Sequence, residues 1–257
     1  MLINQTKKKL RNGQTVFGCF LRYPDPNLVE VLGCEEWDFI VFDAEHGSMQ
    51  PAHIENMVRA AELRNVTPLV RVTTNSQSVI LRFMDTGALG LHVPWIESAA
   101  DTAAAVGSVK FHPMGRRGLA GSRAAAFGYN TDWPEYVKTA NEQTLVVLQI
   151  ESPLAVENLD EILKIESVDV IFIGPLDLSN TLGYPGAFDH PKFQDAVGRI
   201  ADRVLKTDVA LGIMVSTAEA AIQWQQRGAR YLSIPFEIVL RGGCRAYLGH
   251  ARSEQLG

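Results

Sequence analysis

Eight short apolar runs, rich in β-branched and aromatic residues, recur along this chain of 257 residues. Their apolar residues are consecutive rather than alternating, which is typical of parallel strands that are covered on both faces of a sheet. We therefore predict eight parallel strands. They span residues 15–20, 39–44, 68–72, 89–93, 145–150, 168–173, 210–215 and 230–234.

Amphipathic stretches with helix-capping residues lie between most of these runs. Asp25 precedes one helix, and Ser216 followed by Glu219 predicts a capping box at another. Strands that alternate with helices over this length predict a (β/α)8 barrel, the TIM barrel of the α/β class. A doubly wound sheet is the alternative, although it would normally have fewer strands. The predicted helices span residues 26–32, 51–64, 98–106, 154–164, 191–205, 217–227 and 236–250.

Residues 110–133, rich in glycine, arginine and alanine, interrupt the alternation between the fourth and fifth strands. Long ordered loops are often lids or binding loops, so we predict an active-site loop insertion here, with a mobile solvated loop as the alternative. Gly115-Arg116-Arg117-Gly118 could bind an anion through backbone N–H groups, but it matches no nucleotide-binding motif. Because no linker stands out, residues 1–257 are predicted to form a single domain.

Composition narrows the class of protein and its partners. Lys and Arg number 24 and Asp and Glu 29, and this net charge of −5 provides no long-range attraction to nucleic acid or anionic lipid. No apolar run is long enough to span a bilayer or to form a signal peptide. Three widely spaced cysteines without a CxxC pair predict reduced thiols. We therefore expect a cytoplasmic protein that acts on small molecules, without a nucleic acid or membrane partner.

Two carboxylates follow the predicted fifth and sixth strands, at the end of the barrel where active sites lie. Glu151 and Asp177 are separated by one β-α-β unit, so they fall at the ends of adjacent strands. Such hard oxygen ligands can hold Mg²⁺, Mn²⁺ or Co²⁺, and Gln149 could orient a ligand water. Either acid alone could instead cap the following helix, but the pair favours a metal site.

A histidine and an arginine follow two other strands. His46 has acids at positions 43 and 45, so it could act as a general base near neutral pH; a solvated or capping histidine is the simpler alternative. Arg71 is the only charge in an apolar run, and such a residue needs an anionic partner. That partner is either Asp43 or Glu45, or an oxyanion of the substrate.

No lysine follows a predicted strand. A Schiff-base mechanism needs an inward-facing amine, so this absence argues against an imine-forming aldolase and favours metal-assisted enolate chemistry. The lysines stand at positions 7, 8, 9, 110, 138, 164, 192 and 206.

Six short motifs occur in order along the chain: Phe42-Asp43-Ala44-Glu45-His46-Gly47, Val70-Arg71-Val72, His92-Val93-Pro94, Pro113-x-Gly-x-Arg117-Gly118, Gln149-Ile150-Glu151 and Gly174-Pro175-x-Asp177-Leu178-Ser179. Together they resemble the HpcH/HpaI aldolase family over about residues 15–234. The resemblance implies a class II, metal-dependent pyruvate aldolase, such as a 4-hydroxy-2-oxoheptanedioate or 2-dehydro-3-deoxyglucarate aldolase. It also implies a homo-oligomer, commonly a hexamer built as a trimer of dimers, whose last helix is exchanged between subunits.

The resemblance assigns the chemistry to five side chains. Glu151 and Asp177 would hold a divalent metal ion that binds the 2-oxo acid. His46, supported by Asp43, would be the acid/base that takes the proton of the 4-hydroxyl group, and Arg71 would stabilise the enolate oxygen. Cleavage would then release an aldehyde and leave the enolate of pyruvate or of a related 2-oxo acid such as hydroxypyruvate.

Substrate contacts follow from the same resemblance. Gln149 would position substrate or water, and the backbone of Gly174, Pro175 and Leu176 would accept the carboxylate of pyruvate. Phe20 stands where many family members have a tryptophan. Other departures from the family pattern are Arg22-Tyr23 after the first strand, Leu176 in place of a frequent alanine, and residues 233–237. The arginines that could favour an acidic or hydroxylated aldehyde are Arg22, Arg117 and Arg123.

Two other functions remain open at this stage. An acyl-CoA lyase of the malyl-CoA or citramalyl-CoA type could use the same barrel, and it would depend on CoA. A barrel that only binds a 2-oxo acid is less favoured, because two acids, a histidine and an arginine would be costly to assemble without chemistry.

Overall fold

The computed structural model describes residues 3–253. Eight parallel strands form a closed barrel in chain order, and the eighth pairs with the first. The (β/α)8 TIM barrel is thus confirmed, and every predicted strand lies within two residues of an observed one. The strands are β1 (Val16–Leu21), β2 (Phe39–Asp43), β3 (Thr67–Arg71), β4 (Gly90–Val93), β5 (Leu145–Ile150), β6 (Val170–Ile173), β7 (Ala210–Met214) and β8 (Tyr231–Pro235).

Helices connect the strands on the outside of the barrel. In the described part of the chain, none of them combines the length and apolar character needed to cross a membrane. The α-helices are α1 (Gln5–Arg11), α2 (Pro26–Leu32), α3 (Pro51–Leu63), α4 (Gln77–Met84), α5 (Ala99–Val109), α6 (Trp133–Gln143), α7 (Pro153–Glu157), α8 (Leu159–Ile162), α9 (Pro175–Thr181), α10 (Pro191–Val204), α11 (Ala218–Gln226) and α12 (Phe236–Ser253).

The helix predictions are less complete than those of the strands. Helices α1, α4, α6 and α9 have no predicted counterpart, and the single helix predicted over residues 154–164 is divided into α7 and α8. The prediction of a capping box at Ser216 is wrong, because Thr217 is the N-cap of α11 and its side chain accepts a hydrogen bond from the backbone N–H of Ala220. The predicted cap at Asp25 is confirmed by its hydrogen bond from the backbone N–H of Asn27, 2.9 Å long.

The core has two layers, one inside the barrel and one between the strands and the helices. Successive side chains along each strand point alternately into the barrel and toward the helices, and so they supply the two layers, as expected for a barrel surrounded by helices. The inner layer includes Phe39, Val41, Leu69, Val147 and Tyr231, and all five are fully buried. At the amino-terminal end, Leu10 of α1 joins this inner layer, so α1 closes the barrel there.

Residues 110–133 lie at the amino-terminal end of the barrel, because they follow α5 and lead to the start of β5. Arg117 donates to Asp85, which follows α4, at 2.9 Å, and Arg123 donates to the Thr86 carbonyl at 2.9 Å and to Glu62. The active site of such a barrel lies at the opposite end. Residues 110–133 therefore do not form an active-site loop of their own barrel, which corrects our prediction.

Candidate active site

A cavity of about 210 Å³ opens among the carboxyl ends of the strands. Nine of the eleven predicted site residues line it: Phe20, Asp43, His46, Arg71, Glu151, Gly174, Pro175, Leu176 and Asp177. The lining also includes Arg22, which was expected only as an arginine that could favour an acidic or hydroxylated aldehyde, and Pro235 and Glu237 from the segment 233–237 that departs from the family pattern. Phe172 and Met214 complete the lining and were not predicted. The convergence of strand ends thus brings the predicted chemical groups into one cavity.

Arg71, at the end of β3, is held by a buried ion pair with Asp43 at the end of β2. The two residues are in register, and the guanidinium donates from Nε to Oδ1 at 2.8 Å and from Nη2 to Oδ2 at 2.6 Å. Burial alone would raise the pKa of Asp43, but the hydrogen bonds and charge of Arg71 outweigh it and hold that pKa below its usual range. Asp43 is therefore an anion that fixes the orientation of Arg71.

His46 is positioned by the turn that follows β2. Asp43 Oδ1 accepts the backbone N–H groups of Glu45 at 3.1 Å and His46 at 3.2 Å. The carboxylate near the imidazole is that of Glu45, whose Oε2 lies 3.9 Å from Nε2 of His46. The predicted support of His46 by Asp43 therefore acts through the backbone, and Glu45 is the side-chain neighbour. With its side chain 51% exposed on the cavity wall, His46 can reach a substrate.

Glu45 is a site residue whose role the sequence left open. Its Oε2 lies 3.2 Å from Nε of Arg71, so one guanidinium serves two carboxylates. Burial raises the pKa of Glu45, with the charge of Arg71 opposing it and those of Asp43 and Asp177 adding to it. The sequence analysis offered Glu45 both as an acid near His46 and as one of two possible partners of Arg71, and the structure shows both contacts.

Glu151 is a buried carboxylate at the end of β5, only 2% exposed. Its Oε2 accepts the backbone N–H of Trp95 at 3.1 Å, and its Oε1 accepts Nε2 of Gln149 at 2.5 Å. Burial raises its pKa to about 7, aided by the charges of Glu45 and Asp177 and opposed by the Trp95 bond. The anionic form of Glu151 is thus disfavoured mainly by burial and, to a smaller extent, by the neighbouring carboxylates.

Gln149 does not line the cavity but holds Glu151 from within the barrel. Its Oε1 is buried without a hydrogen-bond partner among the described residues, and so is Nδ1 of the fully buried His92. His92 Nε2 is 2.6 Å from the hydroxyl oxygen of Tyr231. Burial, followed by the charge of Arg71, lowers the pKa of His92 to about 3, so the imidazole is neutral. Gln149 is itself fully buried, and its amide nitrogen is the group that contacts Glu151.

Asp177 lies in the first turn of α9, which starts directly after β6. Gly174 at the N-cap of that helix gives Glu151 its room, because a Cβ atom there would lie 2.5 Å from Oε1 of Glu151. Thr181 Oγ1 donates to the Glu151 carbonyl at 2.7 Å, which ties α9 to β5. The two predicted metal ligands thus come from adjacent strand ends on the same cavity wall.

The donor set of this wall fits a hard divalent cation. Among residues 3–253, no group of three or more His, Cys, Asp and Glu side chains is arranged to hold a metal ion. Mg²⁺ nevertheless needs only one or two carboxylates, because it keeps several waters and binds substrate oxygens. Burial is the main cause of the raised pKa of Glu151, and the charges of Glu45 and Asp177 add to it. A cation at this wall would relieve that part of the shift that comes from carboxylate repulsion.

Arg117 is the predicted site residue that the structure places elsewhere. It is buried at the amino-terminal end, paired with Asp85 and stacked 4.7 Å above the ring of Phe111. It lines a separate cavity of about 600 Å³ together with Arg123. Within one chain it cannot bind a substrate at the carboxyl-terminal end, because its position before β5 directs it to the other end of the barrel.

Comparison with known proteins agrees with this geometry. The sequence profile of the HpcH/HpaI aldolase/citrate lyase family matches residues 16–240. A hydroxypyruvate/pyruvate aldolase from Roseobacter denitrificans is 33% identical over 241 residues, 93% of this chain and 93% of that protein. A 4-hydroxy-2-oxovalerate aldolase from Rhodococcus jostii is 33% identical over 242 residues, 93% of this chain and 92% of that protein.

The fold is also similar to that of a relative whose structure has been solved. The crystal structure of an HpcH/HpaI aldolase/citrate lyase family protein from Burkholderia cenocepacia superimposes with a TM-score of 0.91. It is 31% identical in sequence, and the match covers 97% of this chain and 99% of the other. This chain therefore belongs to the HpcH/HpaI aldolase/citrate lyase family, and it is a carbon–carbon lyase.

Proposed function

We propose that the enzyme cleaves 4-hydroxy-2-oxo acids reversibly into an aldehyde and pyruvate, or a related 2-oxo acid such as hydroxypyruvate, with a divalent metal ion at Glu151 and Asp177. The observation that carries this proposal is the buried Glu151, whose pKa is raised to about 7 beside two other carboxylates and close to Arg71. Mg²⁺, Mn²⁺ or Co²⁺ would suit these oxygen ligands. When bound, such an ion supplies Lewis-acid polarisation of the 2-oxo group.

Arg71 supplies the hydrogen bonds that stabilise the negative charge of the enolate oxygen. Its guanidinium is held by Asp43 in a fixed orientation, and donors fixed before the reaction stabilise developing charge without reorganisation. The backbone N–H groups of Gly174 and Leu176 are available for the substrate carboxylate, whereas Pro175 between them has no N–H to donate.

His46 is the group that moves a proton. It removes the proton of the 4-hydroxyl group as the carbon–carbon bond breaks, and protonation of the enolate at C3 then gives pyruvate. In the condensation direction C3 first loses that proton, and His46 returns a proton to the new hydroxyl oxygen. Oε2 of Glu45 lies 3.9 Å from Nε2 of His46 and belongs to the carboxylate next to the imidazole. The apolar cavity wall of Phe20, Phe172 and Met214 excludes water from the enolate.

The proposal is tested by pyruvate release from a 4-hydroxy-2-oxo acid, followed with a coupled dehydrogenase. EDTA should reduce the rate at least 100-fold, and Mg²⁺, Mn²⁺ or Co²⁺ should restore it. His46→Asn should lower kcat by about 10²–10⁴-fold, whereas His112→Asn, an exposed histidine at the other end of the barrel, should not change it. Full activity in EDTA, or a rate that requires CoA, would refute the proposal.

We also propose that the protein is a homo-oligomer, expected as a hexamer, in which α12 of one subunit covers another. None of the described residues of α12 is buried, and its Leu240 and Tyr247 are 54% and 74% exposed. An apolar groove of about 300 Å³ lies beside β8 and β1, lined by residues such as Trp37 and Ile222. An exposed amphipathic helix and an uncovered apolar groove on one chain complement each other in a symmetric assembly.

Light scattering tests this assembly. Ile222→Glu, which places a charge in the groove, should reduce the mass to that of smaller species, while Leu63→Glu at an exposed position on α3 should not. A wild-type monomer at micromolar concentration would contradict the proposal. The free thiols of Cys19, Cys34 and Cys244 support a reducing compartment, and we propose the cytoplasm.

A further inference from the structure

Arg22 and Glu237 form an ion pair on the cavity wall, and neither has a part in the chemistry above. Arg22 directly follows β1, and Glu237 lies in the first turn of α12, directly after β8. Because Phe20 of β1 is in register with Pro235 of β8, the pair spans the seam at which the barrel closes. Both residues line the cavity.

The pair has hydrogen-bonding capacity to spare. Nε and Nη2 of Arg22 lie 2.9 Å and 2.8 Å from the same oxygen, Oε1 of Glu237. The Arg22 side chain is 45% exposed, and its other N–H groups have no acceptor within residues 3–253. Glu237 is 17% exposed, and its Oε2 is buried without a hydrogen-bond partner. Unused donors therefore lie beside a carboxylate that is short of donors.

The charges of Arg22 and Glu237 cancel, which decides the kind of group that fits between them. A hydroxyl group both donates and accepts, so it can bond to the guanidinium and the carboxylate together. A carboxylate only accepts, and it would meet the negative charge of Glu237. Apolar side chains such as Phe20, Phe172 and Met214 share the rest of the wall with carboxylates, which would also repel an anionic aldehyde. Among the described residues that line the cavity, Arg71 is the only other arginine or lysine, and it is already paired with Asp43.

We propose that Arg22 and Glu237 bind the hydroxyl groups of the aldehyde and select a neutral hydroxylated aldehyde over one that carries a carboxylate. The proposal rests on the proposed function, since it names the substrate class of the same site. A site built to hydrogen-bond a hydroxyl group discriminates strongly against the analogue that lacks it, because its own polar groups are left unpaired.

The test is aldol addition of pyruvate to three aldehydes: glyceraldehyde, propionaldehyde and succinic semialdehyde. In the wild type, kcat/KM for glyceraldehyde should exceed that for each of the others at least tenfold. Arg22→Met should bring the glyceraldehyde-to-propionaldehyde ratio close to one. Glu237→Gln, which leaves the charge of Arg22 uncompensated, should raise kcat/KM for succinic semialdehyde relative to glyceraldehyde at least tenfold. Each ratio comes from one preparation, so a partly unfolded variant still reports selectivity.

The controls separate this inference from the proposed function. Arg64→Met and Glu30→Gln alter a comparably exposed ion pair on the outside of the barrel and should leave both ratios unchanged. Exchange of the pyruvate methyl protons with D₂O requires enolate formation but no aldehyde. This inference alone would be overturned if the wild type exchanges the methyl protons but has a glyceraldehyde-to-propionaldehyde ratio near one. It would also be overturned if exchange occurs and Arg22→Met leaves that ratio unchanged. Absence of exchange in the presence of Mn²⁺ would overturn both.

Discussion

Gly174→Ala tests whether Glu151 is a metal ligand without altering any functional group. A Cβ atom at position 174 would lie 2.5 Å from Oε1, 2.9 Å from Cγ and 3.1 Å from Cδ of Glu151. The backbone there is extended, with φ of −89°, so alanine can adopt it. The whole effect therefore falls on the Glu151 side chain.

The required displacement sets the magnitude. Ordinary contact begins near 3.4 Å, so Oε1 must move by about 1 Å. Glu151 is held by Gln149 and by the backbone N–H of Trp95, and it has little room to rotate. Bonds from Mg²⁺ to oxygen are about 2.1 Å and tolerate little error. Losses of this kind weaken metal binding by about 10–100-fold, or about 1.4–2.8 kcal/mol, and overpacking costs about 1–3 kcal/mol in stability.

The assay is a Mn²⁺ titration followed by electron paramagnetic resonance, with near-UV circular dichroism to confirm a folded barrel. Gly198→Ala on α10 is the matched control, because the nearest atom to its added Cβ would be 3.8 Å away. It should leave the Kd for Mn²⁺ unchanged and raise the unfolding free energy by up to about 1 kcal/mol. A folded Gly174→Ala protein that binds Mn²⁺ within twofold of wild type would refute the assignment of Glu151.

Two further predictions concern stability. In the metal-free protein the pKa of Glu151 is about 7, above the ordinary 4.5, so the folded state binds a proton that the unfolded state has lost. The contribution of Glu151 to the unfolding free energy should therefore fall by about 3 kcal/mol as the pH rises from 4.5 to 7. Glu151→Gln should remove this fall, and a variant with the same pH dependence of stability as the wild type would refute the prediction. Asp43→Asn should lower the unfolding free energy measured by urea denaturation by about 3 kcal/mol, because the buried Arg71 would then have Glu45 as its remaining carboxylate partner. Glu55→Gln, in an exposed pair, should cost under about 0.5 kcal/mol, and equal losses would contradict the role of Asp43.

The strands were predictable because burial on both faces leaves an uninterrupted apolar signal. Once eight strands are parallel in a closed barrel, their carboxyl ends must meet, and the residues after β2, β3, β5 and β6 converge by geometry. This is why His46, Arg71, Glu151 and Asp177 were located from the sequence. Helices such as α4 and α6 were missed because short amphipathic segments give a weaker signal than buried strands.

The misplacement of residues 110–133 has a simple physical cause. Their composition suggests a binding loop, but the place of a segment in the chain decides at which end of the barrel it lies. Segments after a strand lie at the carboxyl-terminal end, and segments after a helix lie at the other. Residues 110–133 follow α5, so Arg117 and Arg123 had to face away from the site of their own chain. Chain order alone could have corrected this prediction.

Pairings between distant residues could be predicted only in part. The sequence offered Asp43 and Glu45 as alternative partners of Arg71, and the structure uses both, with Asp43 as the bidentate one. Arg22 and Glu237 are 215 positions apart and meet only because β8 closes on β1. Such contacts depend on side-chain rotamers and strand register, which residue type does not specify.

The charge of the site determines the order in which its ligands can bind. Arg71 is already shared by Asp43 and Glu45, and it leaves Glu151 and Asp177 without a positive partner of their own. A 2-oxo acid is an anion, so these carboxylates repel it. A divalent cation held by Glu151 and Asp177, as proposed, would offset this charge and lower the pKa of Glu151, and the same cavity would then attract an anion. If the proposed metal site is correct, we therefore expect the 2-oxo acid to bind more tightly after the cation, whereas an aldehyde at the neutral Arg22–Glu237 pair should depend less on it.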